Sequence, residues 1–401
     1  MSGIAGRHVV LGVSGGIASY KACVVARRLT EAGAAVDVVM TAAATEFVRP
    51  LVFEALTGRP VGTSLWEAGR ALDHIRLGTE PDLVVVAPAT ARLLARAAQG
   101  VADDLLTSLL LARRAPLLLC PAMNDQMYRH AETQRNLGLL RASGVHILGP
   151  AVGRLARGEG DGPGRMVEPE EIVDHVERLL RAGALFAGRH VLVTAGPTRE
   201  ALDPIRVVTN RSSGRMGYAL ARAAWLRGAD VTLVTGPTAL PLPTSVEVVR
   251  IESTADLRTA VEIALPSADV LLMAAAPADF RPVQPAGTKT PRGAGALTLE
   301  LEPTEDILLA TREQRKPGAL VVGFALETGG AVAKARAKLR RKHLDLVVAN
   351  DAEEPGAGPE VATNRVTLIA ADGETALPLQ DKGEVAEAIL DKVAELLSRR
   401  A

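Results

Sequence analysis

The tetrapeptide Gly-Arg-His-Val occurs twice, at residues 6–9 and 188–191, and each copy opens an apolar run that ends in small residues. The first run leads to Ser14-Gly15-Gly16, the second to Ala195-Gly196-Pro197. A buried strand followed by a tight turn and a helix brings backbone N–H groups and a helix N-terminus to one point, where they can hold a phosphate. Two such openings in 401 residues, against a prior of about 150 residues per domain, predict two domains with one ligand site each. The halves match over only a few residues around these openings, so they are not an internal repeat.

The first half alternates apolar runs with helical patterns. Strands are expected near His8–Val13, Val36–Met40, Leu83–Ala87, Pro116–Cys120 and Val145–Leu148. Continuous apolar strands between helices indicate a parallel sheet covered on both faces. Between Gly153 and Gly164, glycine, arginine and acidic residues replace nearly all apolar ones, which reads as a flap or exposed loop spanning 153–166. Ile172, Val173, Val176, Leu179 and Leu180 then recur at helical spacing, with Pro169 suited to the first turn and Gly183 to a C-terminal cap. The boundary therefore falls within Gly183–Gly188, giving domains 1–184 and 185–401. The second half has strands near Val191–Thr194, Val231–Thr235, Val246–Ile251, Val270–Ala274, Leu320–Phe324 and Leu346–Ala349, then a hairpin (Arg365–Ala370, Thr375–Leu379) and a helix from Lys382. Both domains thus read as doubly wound α/β folds, flavodoxin- or Rossmann-like.

Lysine plus arginine (46) balance aspartate plus glutamate (46), so the chain as a whole lacks the charge footprint of a nucleic-acid binder. Two cysteines, Cys23 and Cys120, with no metal-type cluster around them, fit a reducing cytoplasm. No charged leader with an apolar core precedes the first strand, and no segment reaches the roughly 20 apolar residues of a membrane span. The expected partners are small molecules, with no nucleic acid and no membrane.

In the first half, other loops meet the Ser14–Ile17 turn at the carboxyl edge of the expected sheet: Thr41, Pro88-Ala89-Thr90, and Pro121-Ala122-Met123-Asn124. Small residues and hydroxyls there leave room for a flat ring and its phosphate. The phrases Val-Ser-Gly-Gly-Ile-Ala-Ser-Tyr-Lys (13–21), Asp-His-Ile-Arg-Leu-Gly (73–78), Ala-Pro-Ala-Thr-Ala (87–91) and Pro-Ala-Met-Asn-Asp-Gln-Met-Tyr (121–128) resemble the flavin-dependent cysteine decarboxylases over most of residues 6–180. That resemblance implies FMN held by Ser14, Gly15, Gly16, Ile17, Thr41, Phe53, Pro88, Ala89 and Thr90. It implies 4'-phosphopantothenoylcysteine as substrate, His74 as catalytic histidine, and Asn124 as substrate clamp beside Met127. Alone, a histidine on a short loop is a surface side chain; the resemblance gives it a role, and a pKa near working pH suits it to proton control.

One departure stands out. Decarboxylases of this type carry a flap cysteine, in a Leu-Ala-Cys-Gly phrase, that protonates the reaction intermediate; here the phrase is Leu155-Ala156-Arg157-Gly158. Cys120 is a poor substitute, and Cys23, on the first helix, reads as core. Either water, Tyr128 or a group ordered by Arg157 completes the reaction, or the first domain is a flavin-binding scaffold with impaired chemistry.

The most specific signature is Thr194-Ala195-Gly196-Pro197-Thr198-Arg199-Glu200, continuing through Arg206 to Asn210-Arg211-Ser212-Ser213-Gly214-Arg215-Met216-Gly217. Ser212-Ser213-Gly214 is expected to begin a helix whose free N–H groups attract phosphate, with Ser213 as its cap. This phrase, with Ala274–Pro282, Val322–Thr328 and Leu344–Asp351 in order, resembles the phosphopantothenate–cysteine ligases. The resemblance implies joining of 4'-phosphopantothenate to cysteine through an acyl-cytidylate, using CTP and Mg²⁺. Lys289 maps to the catalytic lysine and Asn210 to the holder of the activated carboxylate. Nucleotide and substrate contacts map to Arg206, Met273, Ala274, Ala275, Asp279, Glu305, Asp306, Ile307, Leu308, Phe324, Lys338 and Lys342, with Asp279 on the metal side. Lys334, Lys338 and Lys342 recur every four residues as one helical stripe. The loop at Lys289 reads Lys-Thr-Pro-Arg, where such ligases have Lys-Ile-Lys-Lys.

Neither opening strand is followed by Gly-x-Gly-x-x-Gly, which argues against a nicotinamide enzyme, and a flavin prenyltransferase would lack the second half. Resemblance also implies a homo-oligomer: trimeric decarboxylase and dimeric ligase contacts, which a fusion would combine into a shell such as a dodecamer.

Overall fold

A computed structural model describes residues 3–67, 70–155, 160–181, 186–243, 245–292 and 296–400. It divides into two compact units, Met1–Ala182 and Gly183–Ala401.

In the first unit, β1 (His8–Val13), β2 (Ala35–Met40), β3 (Leu83–Ala89), β4 (Leu117–Pro121) and β5 (His146–Ile147) form a wholly parallel sheet in the order β2-β1-β3-β4-β5. Its strands lack polar alternation because both faces are covered. Val9, Leu11 and Val13 enter a core with the helices Ser19–Glu31 and Pro169–Leu180, whereas Val10, Val84 and Val86 enter a second core with Ala91–Gln99, Leu105–Ala112 and Ala131–Ala142. The chain steps from β1 to β2 on one side and returns to β3 on the other. The loops after β1 and β3 therefore diverge and leave a crevice at the carboxyl edge, the switch point of a flavodoxin-type sheet. An antiparallel hairpin, β6 (Ala151–Arg154) and β7 (Asp161–Arg165), follows. The helix Pro169–Leu180 starts on its proline but ends on Arg181 with φ −86°, so no glycine cap closes it; Gly183 lies outside the described residues.

The second unit contains β8 (His190–Ala195), a short ladder of β9 (Arg199–Ala201) with β10 (Val207–Thr209), β11 (Asp230–Thr235), β12 (Glu247–Arg250), β13 (Val270–Met273), a ladder of β14 (Phe280–Pro282) with β15 (Leu301–Pro303), β16 (Leu320–Glu327), β17 (Leu346–Asp351), β18 (Thr363–Asn364), β19 (Thr367–Ala370) and β20 (Gly373–Ala376). Its main sheet runs β12-β11-β8-β13-β16-β17-β19-β20, parallel as far as β17 and antiparallel beyond. The first six positions have Rossmann order with the switch point between β8 and β13. The helix Lys382–Ser398 packs beside the helix Arg215–Leu226 on one face and buries Val385, Ile389, Leu390 and Val393. Among the described residues no helix is long and apolar enough to cross a membrane.

Candidate active sites

At the switch point of the first unit, Ser14 ties the two diverging loops together. Its Oγ donates to Pro88 O at 2.8 Å and accepts from Thr90 N at 3.0 Å. The turn after it runs so close to the loop after β2 that a Cβ on Gly15 would lie 2.4 Å from Ala43 Cβ and 2.6 Å from its carbonyl carbon. Only glycine fits there. The N–H groups of Gly15, Ile17 and Ala18 meet no acceptor among the described residues, so three donors face the cleft at the start of the helix Ser19–Glu31.

That cleft is a cavity of 920 Å³ lined by Ser14–Ile17, Thr41, Thr90, Asn124, Met127 and, from the hairpin, Arg154, Leu155, Gly164 and Arg165. Thr90 and Asn124 are also helix caps: Thr90 Oγ1 accepts from Leu93 N, and Asn124 Oδ1 from Gln126 N at 2.9 Å. Capping uses the oxygen of Asn124 and leaves its NH₂ as the free end. The hairpin is seated by Met123 N donating to Gly164 O at 2.9 Å, and a Cβ on Gly164 would stand 2.1 Å from Met123 O.

Other expected residues fall outside the lining. Phe53 is fully buried in the core, Ala89 is buried at the end of β3, and Pro88 acts through its carbonyl. His74 is not on a loop; it sits in the first turn of the helix Asp73–Thr79, half-buried and outside the lining of its own chain's cavity, with Nδ1 lacking a partner among the described residues. Cys120 is sealed in the core, where burial, with Glu171 adding to it, pushes the thiol far above its usual range. Tyr128 packs against the core and is not part of the cleft lining. Neither side chain lines this cavity. Of the flap phrase, Ala156, Arg157 and Gly158 lie outside the described residues. Residues that sequence reasoning did not single out also line the cleft, among them Lys21, Arg92 and Arg96. A cation recurring every four residues on the helix Ala91–Gln99 was the available signal.

In the second unit, Gly196, Gly214 and Gly217 let the loops and the helix Arg215–Leu226 crowd the end of β8. A Cβ on Gly217 would lie 2.5 Å from Ala195 Cβ, and Gly196 and Gly214 adopt φ of +74° and +77°. These are the glycine roles of a dinucleotide fingerprint, separated here by the β9/β10 excursion, which hid them from a spacing search. The cap is Gly214, not Ser213; Ser213 Oγ instead donates to Pro359 O at 2.6 Å.

Buried Thr194 sets the adjoining edge: its Oγ1 accepts from Ala275 N at 3.0 Å and donates to Met273 Sδ at 3.4 Å. Asn210 Nδ2 donates to Pro277 O at 2.8 Å and reaches Oδ2 of exposed Asp279 at 3.5 Å. Asp203 is buried, and burial alone would raise its pKa. The N–H groups of Ile205, Arg206 and Thr290, with the Arg206 guanidinium, outweigh this and hold the carboxyl below its usual range. Through Asp203 and through Arg206, which donates to Thr290 O at 3.1 Å, the loop carrying Lys289 is stapled to the motif. Lys289 itself is exposed and bonded to nothing among the described residues.

Thr304 N donates to Asp279 O at 2.9 Å, which places Glu305 and Asp306 beside this edge; Ile307 and Leu308 are core. The lysine stripe is already engaged. Lys334 pairs with Glu327, Lys338 Nζ donates to Phe324 O, and Lys342 pairs with Asp306 at 2.7 Å. Burial, then the neighbouring Lys342 charge, lowers the pKa of Lys338. Among the described residues no cluster of three or more potential metal ligands occurs.

Fold and sites together define a two-site α/β enzyme, a flavodoxin-type unit followed by a Rossmann-type one. The Flavoprotein family model matches residues 2–181, and that of the DNA/pantothenate metabolism flavoprotein C-terminal domain matches residues 186–397. The coenzyme A biosynthesis bifunctional protein CoaBC of Vibrio cholerae is 46% identical over 98% of this chain and 100% of that protein; its counterpart in Mycobacterium bovis is 50% identical over 98% and 97%. A solved structure of the C-terminal domain of such a protein is 40% identical, covering 54% of this chain and 100% of that one at a TM-score of 0.46. The chain belongs to the family of bifunctional coenzyme A biosynthesis proteins, in which a flavoprotein decarboxylase unit is joined to a ligase unit.

Proposed function

We propose that residues 185–401 join 4'-phosphopantothenate to cysteine through an acyl-cytidylate at the expense of CTP, and that residues 1–184 decarboxylate the product, 4'-phosphopantothenoylcysteine, to 4'-phosphopantetheine with FMN. The observation that carries this reading is that residues scattered over 110 positions of the first unit converge on one cavity, from Ser14 to Asn124. Its volume suits a bound mononucleotide, and the three free N–H groups suit the FMN phosphate. FMN held there would supply a reversible two-electron acceptor for the cysteine thiol, the chemistry that makes the carboxylate easy to lose. The chain's own residues orient and protonate. The Asn124 NH₂ clamps the substrate carboxylate, Met127 packs beside it, and the hairpin excludes water. His74 does not reach its own chain's cavity, which fits a trimer in which a neighbouring subunit supplies it; exposed Leu51, Val52, Leu72 and Ile75 offer an apolar contact surface.

In the ligase unit, Lys289 neutralises the charge that develops as the carboxylate attacks the α-phosphate, and Asn210 holds the acyl oxygen with the N–H that otherwise reaches Asp279 Oδ2 at 3.5 Å, the other N–H staying on Pro277 O. Ala275, Asp279, Phe324, Lys338 and Lys342 contact the nucleotide, and Arg206 keeps the Lys289 loop in reach. A lone exposed carboxylate at Asp279 suits Mg²⁺ arriving with the triphosphate, since that ion takes one or two protein carboxylates plus phosphate oxygens. Exposed Ile205, Val207 and Phe280 on the small ladders fit a dimeric contact. Purified protein given CTP, Mg²⁺, phosphopantothenate and cysteine should release carbon dioxide and yield phosphopantetheine by mass spectrometry. Accumulation of phosphopantothenoylcysteine alone would reduce the first unit to a flavin-binding scaffold, and no coupling product at all would overturn the reading.

A further inference from the structure

Lys382 is almost wholly buried at the first position of the C-terminal helix, although a charge there is costly unless every donor is met. All three of its protons are met by backbone: Nζ donates to Val361 O at 2.7 Å, Gly358 O at 3.1 Å and Pro359 O at 3.3 Å. The turn it grips has no strand or helix of its own. It is closed by Thr363 Oγ1 on Gly356 O at 2.7 Å and by Asn350 Nδ2 on Ala357 O at 3.3 Å. One of its carbonyls has a second client. Pro359 O also accepts Ser213 Oγ, and Ser213 directly precedes Gly214, the left-handed residue from which the motif helix departs. A core ammonium therefore holds, through one carbonyl, the loop whose backbone donors start that helix.

We propose that Lys382 is a positioning residue for the ligase reaction: its ammonium gathers the 358–361 turn so that Pro359 O fixes Ser213, and with it the Ser212–Gly214 donor loop, in the geometry that receives the nucleotide phosphates. This rests on the ligase reading above. Neither residue touches the reacting atoms, and the effect belongs on nucleotide affinity rather than on turnover. Burial, then the Arg215 charge, lowers Lys382 to about 8 against the opposing pull of Asp381. Deprotonation leaves two donors for three carbonyls.

The test is a double-mutant cycle on the full-length enzyme, measuring CTP-dependent coupling of phosphopantothenate and cysteine. Lys382→Met and Ser213→Ala should each raise the KM for CTP about tenfold, the effect of losing one hydrogen bond to a charged or fixed group. The KM for cysteine and kcat should hold within about twofold. The double variant should be no worse than the poorer single one, because both act through the same carbonyl. In the wild type the KM for CTP should rise above about pH 8, and in Lys382→Met that rise should vanish. If Lys382→Met lowers the melting temperature but leaves the KM for CTP unchanged, Lys382 only stabilises the fold and the proposal is wrong; multiplying effects in the double variant refute it equally. Should Lys382→Met not fold, Lys382→Gln, which retains two donors, takes its place with the same two outcomes. A wild type that fails to couple the substrates with CTP overturns the ligase reading itself, a distinct result.

Discussion

The two carboxyl-edge sites lie at equivalent topological points yet are built differently. The first is closed by backbone: Gly15 lies against Ala43, Gly164 against Met123 O, and Ser14 bridges to Pro88, and these loops enclose a cavity of 920 Å³. The second is an open arc of side chains. Asn210, Asp279 and Lys289 carry its more open side, while Lys338 and Lys342 are bonded to Phe324 O and Asp306. A group that stays through every turnover benefits from a preformed cradle. A nucleotide that must enter, react and leave as monophosphate benefits from cations that exchange protein acceptors for phosphate.

That contrast can be broken most sharply at its exposed cation. Lys289→Gln should lower ligation by about 10²- to 10³-fold, the usual cost of removing one transition-state donor, while decarboxylation of supplied phosphopantothenoylcysteine stays intact. Equal damage to both steps would abolish the distinction between the sites. His74→Asn should do the reverse, with a loss of about 10²-fold or more in carbon dioxide release and unchanged ligation. The proposed supply of His74 by a neighbouring subunit predicts that mixing His74→Asn with Asn124→Asp subunits restores part of the decarboxylase activity; no recovery in mixed oligomers would return His74 to its own chain's site.

Gly15→Val tests the backbone cradle. Its side chain meets Ala43 rather than open space, so the variant should purify without flavin colour while still coupling phosphopantothenate to cysteine. Retained yellow colour would mean that the loop yields. A smaller effect is expected from Thr194→Val, which leaves Ala275 N without its acceptor. The cost should be about 1–3 kcal/mol, read as a lower denaturant midpoint and a raised KM for CTP with the flavin unaffected. Asp203 supplies a pH axis. Its folded pKa lies below the unfolded value of about 3.9, so its contribution is complete above that value and fades as pH falls through the folded pKa. Acid should therefore loosen the Lys289 loop, and Asp203→Asn should remove that part of the acid dependence.

Much of this was legible from periodicity. The eleven principal parallel strands follow from apolar runs covered on both faces, and the helix Pro169–Leu180 from 3.6-residue spacing with Pro169 at its start. The Ser14 turn, Thr41 and Asn124 were readable as carboxyl-edge loops because strand ends in a parallel sheet share one edge. Less legible were partners distant in sequence. The fingerprint glycines were hidden because β9 and β10 intervene between Gly196 and Gly214. Ser213 read as a cap because its neighbours fit one, whereas the left-handed turn at Gly214 frees its hydroxyl for Pro359, 146 residues away. Cys120, at a strand end by sequence, is sealed in the core because helices cover both faces of the sheet, so either parity of β4 is buried.

What the sequence determined by itself, then, is two doubly wound domains with a small-residue turn after each first strand, because strand burial and turn sterics are local. Only the tertiary structure decided which of the gathered residues are free to act. It turned the Asn124 amide toward the cavity by using its oxygen as a cap, left Lys289 unbonded while engaging Lys338, and withheld His74 from its own cavity. Each depends on which acceptor from a remote segment comes within about 3 Å, a condition that only the packed chain sets.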